Sequence, residues 1–315
     1  MNNRKSFIIG IQGTKLKKKE IIFLKKYKPW GIILFSRNLH NFNQIKKLTT
    51  NIKKIFKDRK YPIMIDQEGG RVNRLSRIIS LDNLSSEYFG KIFIEDKKKF
   101  NIVYKLFIDK ISFLLNNLGI NINTVPVLDL RYKGSSKIIG NRSFSNDPKI
   151  VSAIGNFCIK HFKLNSIGTV IKHIPGHGLA RVDSHYSTPS LNKSLDYLKK
   201  NDFSAFKSKN SLLAMTAHVI FKKIDPKNTV THSKILIKMI RKQIKFKNLI
   251  ISDDLSMKSL KYSISENTRR TFEAGCNLAL HCNGNLKEMT FVAENSPNVN
   301  SFILKKTSEF YKNLS

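Results

Sequence analysis

Short runs rich in β-branched residues alternate along this chain with longer, lysine-studded amphipathic stretches, and the alternation occurs eight times. The runs occupy residues 7–11, 31–35, 62–66, 123–128, 169–173, 212–217, 249–253 and 278–282. Between them, residues 15–26, 43–56, 97–117, 148–165, 233–246 and 265–274 carry helical patterns. Strands that alternate with helices pair in parallel, and eight such units predict an α/β fold, a closed TIM-type (β/α)₈ barrel. A doubly wound open sheet is the alternative, but no glycine-rich phosphate fingerprint follows the first run. With no internal repeat beyond this alternation, no low-complexity linker and no proline-rich boundary, residues 1–315 are expected to form one domain.

Polar residues strengthen the barrel reading. Six runs end in groups that carry charge or hydrogen bonds: Ser36-Arg37-Asn38, Asp66-Gln67-Glu68, Asp129, Lys172-His173, Thr216-Ala217-His218 and Ser252-Asp253-Asp254. In such barrels the chemistry sits on the carboxyl-terminal rim, where strand ends converge. Elsewhere, buried charges cost several kcal/mol each. Six converging clusters therefore point to an enzyme site.

Composition narrows the setting. No apolar run approaches the ~18–20 residues of a membrane helix, and Phe7-Ile8-Ile9 is shorter than the apolar core of a signal peptide; a cytoplasmic protein without a membrane partner is expected. Three cysteines, Cys158, Cys276 and Cys282, suggest neither a disulfide framework nor a thiolate zinc site. The 57 Lys+Arg against 22 Asp+Glu give a net charge of +35, which invites a nucleic-acid reading. The lysines, however, are spread over predicted helices (17–19, 97–99, 199–200) without interleaved aromatics. They read as a compositional bias that attracts polyanions without specificity.

The densest chemistry lies between Lys172 and His185, in the segment Lys-His-Ile-Pro-Gly-His-Gly-Leu-Ala-Arg-Val-Asp-Ser-His. Pro175 and two glycines forbid a helix there, so a shaped loop delivers Asp183 and His185 two residues apart. A carboxylate that orients an imidazole is the usual arrangement for a histidine acting as acid and base near neutral pH. A purely structural loop fits the same residues. Three histidines and an aspartate also suggest a metal site, but no helix carries two of them at one-turn spacing and no cysteine is near; no metal is expected. Asp253 and Asp254, adjacent on a strand, point to opposite faces, so one looks into the barrel mouth while the other pairs or caps a helix. Asp66 and Glu68 precede Gly69-Gly70-Arg71, a turn suited to close backbone approach to a ligand. A helix cap or an ion pair is the plainer role for any one such aspartate.

In these residues the chain resembles the bacterial β-N-acetylglucosaminidases of glycoside hydrolase family 3, specifically the short single-domain enzymes of peptidoglycan recycling. The matching pieces are Ile65-Asp66-Gln67-Glu68-Gly69-Gly70-Arg71-Val72, Pro126-Val127-Leu128-Asp129-Leu130, Ile139-Gly140-Asn141-Arg142-Ser143-Phe144, Lys172-His173 through Asp183-Ser184-His185, Met215-Thr216-Ala217-His218, and Ser252-Asp253-Asp254-Leu255-Ser256-Met257. They keep the family's order and cover most of the chain. The resemblance implies Asp253 as nucleophile, His185 as proton donor and acceptor, and Asp183 as the group that orients it. It implies sugar-binding roles for Asp66, Arg74, Arg142, Lys172 and His173.

The implied activity is that of a retaining exo-β-N-acetylhexosaminidase, without cofactor or metal, that removes GlcNAc from anhydro-N-acetylmuramic acid peptides. It would act as a monomer on this small-molecule substrate and bind no specific nucleic acid. The competing reading is a catalytically decayed barrel that binds sugar or nucleic acid. The chain departs from the family pattern at Ile174, usually aromatic, at Lys245-Phe246-Lys247-Asn248 in place of Gly-Phe-x-Gly, at Asn277 in place of Asp, and in a short carboxyl-terminal helical region.

Overall fold

The computed structural model describes residues 3–182, 184 and 187–314. All eight predicted runs form strands of one closed parallel barrel. They are β1 (Lys5–Gly10), β2 (Pro29–Leu34), β3 (Ile63–Ile65), β4 (Ile122–Asn123), β5 (Gly168–Ile174), β6 (Leu213–Thr216), β7 (Leu249–Asp254) and β8 (Leu278–His281). Each strand pairs with its sequence neighbours, and β8 closes on β1 through Phe7 opposite Ala279 and Ile9 opposite His281. β4 is the largest departure from the expected run. Pro126 has no N–H to give a ladder, so regular pairing stops at Asn123 and resumes as a single bridge between Val127 and Lys172.

Strand side chains divide by period-two alternation. Ile8, Ile33, Met64, Ile122, Val170, Leu213, Ile251 and Leu280 fill the barrel. Phe7, Ile9, Ile32, Leu34, Ile63, Ile65, Ile171 and Ala214 face the surrounding helices. Fully burying one such aliphatic side chain is worth about 1.5–3 kcal/mol, so both layers favour closure. The helices around the barrel include α1 (Lys18–Tyr27), α2 (Phe42–Phe56), α3 (Ser86–Glu95), α4 (Lys97–Asn117) and α5 (Pro148–Leu164). Further along come α6 (Leu195–Lys200), α7 (Asp202–Phe206), α8 (Lys234–Lys242), α9 (Ile264–Ala274), α10 (Leu286–Glu294) and α11 (Ser301–Lys312).

Their starts follow from polar caps. Asn41 accepts from Gln44 N before α2, Asp96 from Lys98 N and Lys99 N before α4, and Asp147 from Lys149 N before α5, where Pro148 sets the first turn. The carboxyl-terminal region, though short, closes the lower end of the barrel. Ile303 and Phe310 of α11 join the interior cluster, and Trp30 Nε1 donates to Thr307 Oγ1 at 2.9 Å. None of the described helices is long and apolar enough to cross a membrane. Cys158 and Cys276 are buried and Cys282 is partly so, all three as free thiols.

Two departures from the family pattern meet below β7. Asn277 Oδ1 accepts Ile250 N at 2.9 Å and Arg241 Nη2 at 2.7 Å, so the amide supplies the acceptor a carboxylate would. Lys245, at the expected glycine, has φ +61° and lies in the left-handed region, a conformation that costs a side-chain-bearing residue about 1–2 kcal/mol.

Candidate active site

Strand ends converge on a cavity of about 510 Å³ at the carboxyl-terminal mouth of the barrel. Ile33, Met215 and Leu280 contribute an apolar lining, while Asp66, Glu68, Arg74, Arg142, Lys172, His173 and Asp253 add charged and hydrogen-bonding groups. Lys172 and His173 are neighbours on β5, and both face the cavity because the register with β6 shifts between Lys172 and Ile174.

The charged groups form one lattice. Lys172 Nζ donates to Asp66 Oδ1 at 3.1 Å and to Thr124 Oγ1 at 2.8 Å, and it forms an ion pair with Glu68 Oε1 at 2.6 Å. Arg142 grips Glu68 bidentately, Nε to Oε2 at 2.8 Å and Nη2 to Oε1 at 2.9 Å, the strong fork geometry of a guanidinium on a carboxylate. Arg74 Nη2 lies 3.3 Å from Asp66 Oδ2 and covers the Phe35 ring. Burial alone would raise both carboxyls. Lys172, Arg74 and the short Thr124 hydroxyl contact instead hold Asp66 well below the usual carboxylate range, and Arg142 with Lys172 pushes Glu68 down to about 2.

Asp129 organises the histidines. Its Oδ2 accepts His173 Nδ1 at 2.7 Å and His173 N at 3.1 Å, and its Oδ1 accepts His177 N at 2.7 Å. Burial works against the charge on Asp129, but His173 and His177 keep it ionised. A carboxylate only accepts, so His173 Nδ1 is the donor of that bond.

Asp253 lies on the cavity wall at the end of β7, and its Oδ1 accepts Asp254 N at 2.8 Å. Burial opposes its ionisation, but His218, His173, that amide and Lys172 outweigh it and hold Asp253 below the ordinary range. An ionised carboxylate exposed to a cavity is chemically a nucleophile or a stabiliser of developing positive charge. Asp254 turns the other way. Its Oδ1 accepts Cys282 N and Ser256 N, each at 3.0 Å, and its Oδ2 accepts Ser256 Oγ at 2.7 Å, which ties β7 to β8.

The chain matches the glycosyl hydrolase family 3 N-terminal domain over residues 6–303. It belongs to glycosyl hydrolase family 3. It is a glycosidase. A β-hexosaminidase of Neisseria gonorrhoeae is 35% identical over 263 residues, which span 80% of this chain and 71% of that one. One of Methylobacillus flagellatus is 31% identical over 283 residues, 88% of this chain and 80% of that one. The crystal structure of NagZ from Neisseria gonorrhoeae in complex with N-trifluoroacetyl-D-glucosamine superimposes with a TM-score of 0.88 at 30% identity, covering 98% of this chain and 90% of that one.

Of the residues this family resemblance singled out, six lie on the one cavity: Asp66, Arg74, Arg142, Lys172, His173 and Asp253. Asp183 and His185 lie outside the described residues. The six polar strand ends do different work. Those of β3, β5 and β7 face the cavity. Arg37 and Asn38 after β2 instead donate to the Ile11 carbonyl, at 3.0 and 3.1 Å, and stitch the rim. His218 Nε2 donates to the Asp254 carbonyl at 3.0 Å, behind the cavity wall. In the glycine turn, a Cβ on Gly69 would strike the Leu84 carbonyl at 2.4 Å and one on Gly70 the Ser85 side chain at 2.9 Å, so the turn packs closely against the segment at 84–85. Two residues of the lattice carried no assigned role in the sequence reading, Glu68 as the anchor of two cations and Thr124 between Asp66 and Lys172. Only a charged residue at a strand end hinted at the first, and nothing in the linear pattern at the second.

Proposed function

We propose that this chain is a single-domain retaining exo-β-N-acetylglucosaminidase that removes terminal GlcNAc from anhydro-N-acetylmuramic acid peptides during cell-wall recycling. The observation that carries the reading is Asp253, an ionised strand-end carboxylate that shares a sugar-sized cavity with the Asp66–Lys172–Glu68–Arg142 lattice. Asp66 and His173 offer acceptors to sugar hydroxyls, and Arg74 and Arg142 offer donors. Lys172 is held among Asp66, Glu68 and Thr124, so Lys172 acts first by fixing Asp66.

The reaction has two steps. Asp253 Oδ attacks the anomeric carbon as the glycosidic C–O bond breaks, and protonated His185 gives its proton to the departing oxygen. Neutral His185 then takes a proton from water, whose oxygen displaces Asp253 from the covalent glycosyl-enzyme. Asp183 orients His185 through the loop that begins at Pro175. The roles of Asp183 and His185 rest on the sequence motif. The substrate places the enzyme in the cytoplasm, where it acts as a monomer. Hydrolysis of a chromogenic GlcNAc β-glycoside, with release of the β anomer of GlcNAc, tests the reading. Absence of turnover favours a decayed, sugar-binding barrel, and release of the α anomer excludes a covalent route.

A further inference from the structure

Helices α4 and α5 lie side by side, and both are one-sided in charge. α4 carries Lys97, Lys98, Lys99, Lys105 and Lys110 against one carboxylate, Asp109, and α5 carries Lys149, Lys160 and Lys163 against none. Asp109 is already engaged, by Lys105 Nζ at 2.5 Å and by Asn165 Nδ2 at 2.8 Å.

Large apolar side chains stand out of the same face. Ile102, Leu106 and Phe113 are 62%, 62% and 63% exposed, and at 3.6 residues per turn they fall within about 40° of one another around α4. Lys98 and Lys105 border this row on one side and Lys99 and Lys110 on the other, all four exposed. Leu164, at the end of α5, is 69% exposed. It joins the row because its neighbour Asn165 is bonded to α4, accepting Asn116 Nδ2 at 3.0 Å while its own amide reaches Asp109. Lys160 and Lys105 converge on His161 between the two helices, where burial and these lysines hold the imidazole below its usual range.

Single exposed apolar residues are ordinary, whereas an aligned row bordered by cations marks an interaction surface. A second copy of the chain would set the same lysines against one another, between molecules of net charge +35. The row stands on a convex helix, so a rigid partner would need a matching groove, while a fluid layer closes round separate side chains. Anionic headgroups complement the lysines, and the acyl boundary takes the apolar tips.

We propose that the α4–α5 face is a peripheral docking surface for an anionic phospholipid bilayer. Ile102, Leu106, Phe113 and Leu164 enter the headgroup boundary, and the flanking lysines spread to the phosphates. A surface of this kind needs no spanning helix, and none of the described helices can supply one. The proposal replaces the expectation of no membrane partner, which followed from the lack of a spanning run.

Co-sedimentation with vesicles of phosphatidylcholine, with and without phosphatidylglycerol, tests it. At ~0.15 M salt the partition coefficient for mixed vesicles is expected to exceed that for phosphatidylcholine alone by about tenfold. Leu106→Gln combined with Phe113→Gln keeps every charge and touches only exposed positions. This variant is expected to partition about 10-fold more weakly than wild type. The emission of Phe113→Trp should shift to shorter wavelength on mixed vesicles, while Trp30, fully buried, gives a constant background. No binding to mixed vesicles overturns the proposal, as does an unshifted emission. Equal binding by wild type and the doubly substituted protein overturns it too, because charge alone would then adsorb the chain. A dimer that the double substitution dissolves, without vesicle binding, assigns the face to a second copy instead.

Discussion

The Lys172 ammonium lies 2.6 Å from the Glu68 carboxylate, with both side chains almost wholly out of solvent. Because Arg142 holds the same carboxylate through two further bonds, one anion fixes two buried cations of the sugar cavity. Removing it leaves Arg142 without its carboxylate and Lys172 with Asp66 alone, and a buried pair that loses a partner costs about 3–5 kcal/mol. Glu68→Ala is therefore expected to lower stability in urea by that amount and to raise KM. The pH dependence has a definite sign. Glu68 is depressed to about 2 in the folded protein, so its contribution is present above the unfolded value near 4.5 and is lost as pH falls towards 2. A Glu68→Ala loss below about 1 kcal/mol at pH 7 would show that the lattice is not structural.

Asp253 is the most exposed to direct test. Asp253→Ala is expected to cut turnover of a GlcNAc glycoside by several orders of magnitude while leaving the melting temperature near wild type. A fluorinated GlcNAc analogue should add one sugar mass to the peptide containing Asp253. Since His218, His173 and Lys172 hold Asp253 below the ordinary carboxylate range, kcat/KM should show no acid limb above about pH 4. Labelling at Asp254 would overturn the assignment, because that carboxylate is occupied by Cys282 and Ser256.

Lys245 concerns stability only. Its φ of +61° suits glycine, so Lys245→Gly is expected to stabilise the fold by about 0.5–1 kcal/mol, the left-handed penalty less the entropy glycine adds to the unfolded chain. Lys245→Ala keeps the penalty and should bring no gain. Thermal melts of the two variants decide it. Equal melting temperatures would show that the strain is relieved elsewhere.

Barrel and chemistry differed in how far they could be read from the sequence. The eight strands were legible because each is a local apolar run, and period-two alternation alone assigned Ile8 and Ile9 to opposite layers. β4 was overextended because Pro126 interrupts the ladder only where a neighbouring strand asks for its N–H. Asp253 and Asp66 stood out as charges at strand ends. Glu68, Thr124 and Asp129 act through partners 44 to 104 residues away in the network of Lys172, Arg142 and His173, and no local pattern encodes such a pairing. Arg37, Asn38 and His218 also stand as polar groups at strand ends in the sequence, and in the structure they donate to the backbone carbonyls of Ile11 and Asp254.

Asp202 gives a pH prediction of the opposite sign. It is buried, its Oδ2 accepts Tyr132 Oη at 2.9 Å, its Oδ1 has no partner among the described residues, and it packs against Gly176. Burial is the main cause that pushes its carboxyl up to about 7, in spite of the Tyr132 bond and with Asp129 adding to the rise. The folded value lies above the unfolded one, so the neutral form's stabilisation is complete below about pH 4 and is lost as pH rises through about 7. Asp202→Asn keeps the neutral form at every pH. Its stability relative to wild type should rise between pH 5 and pH 8 by about 2–4 kcal/mol, an order-of-magnitude conversion of the shift. A difference that stays flat over that interval would place the ionisation elsewhere.

The net charge of +35 supplies the last prediction. Lys17 to Lys19 by α1, Lys97 to Lys99 on α4, and Lys199 with Lys200 on α6 are all exposed. They belong to helices spaced around the barrel, so they form no single groove. Such a surface attracts any polyanion weakly, through counterion release, and distinguishes no sequence. At about 0.15 M salt exposed charges feel one another over only ~8 Å, so binding to duplex or single-stranded oligonucleotides should vanish between roughly 0.1 and 0.3 M salt. Hydrolysis of the chromogenic glycoside should persist through the same titration, because Asp66, Lys172 and Glu68 interact at contact distance and largely out of solvent. A basic groove evolved for nucleic acid would behave in the opposite way, holding one preferred oligonucleotide at physiological ionic strength. Retention of such a sequence-selective complex at ~0.15 M salt would refute the compositional reading.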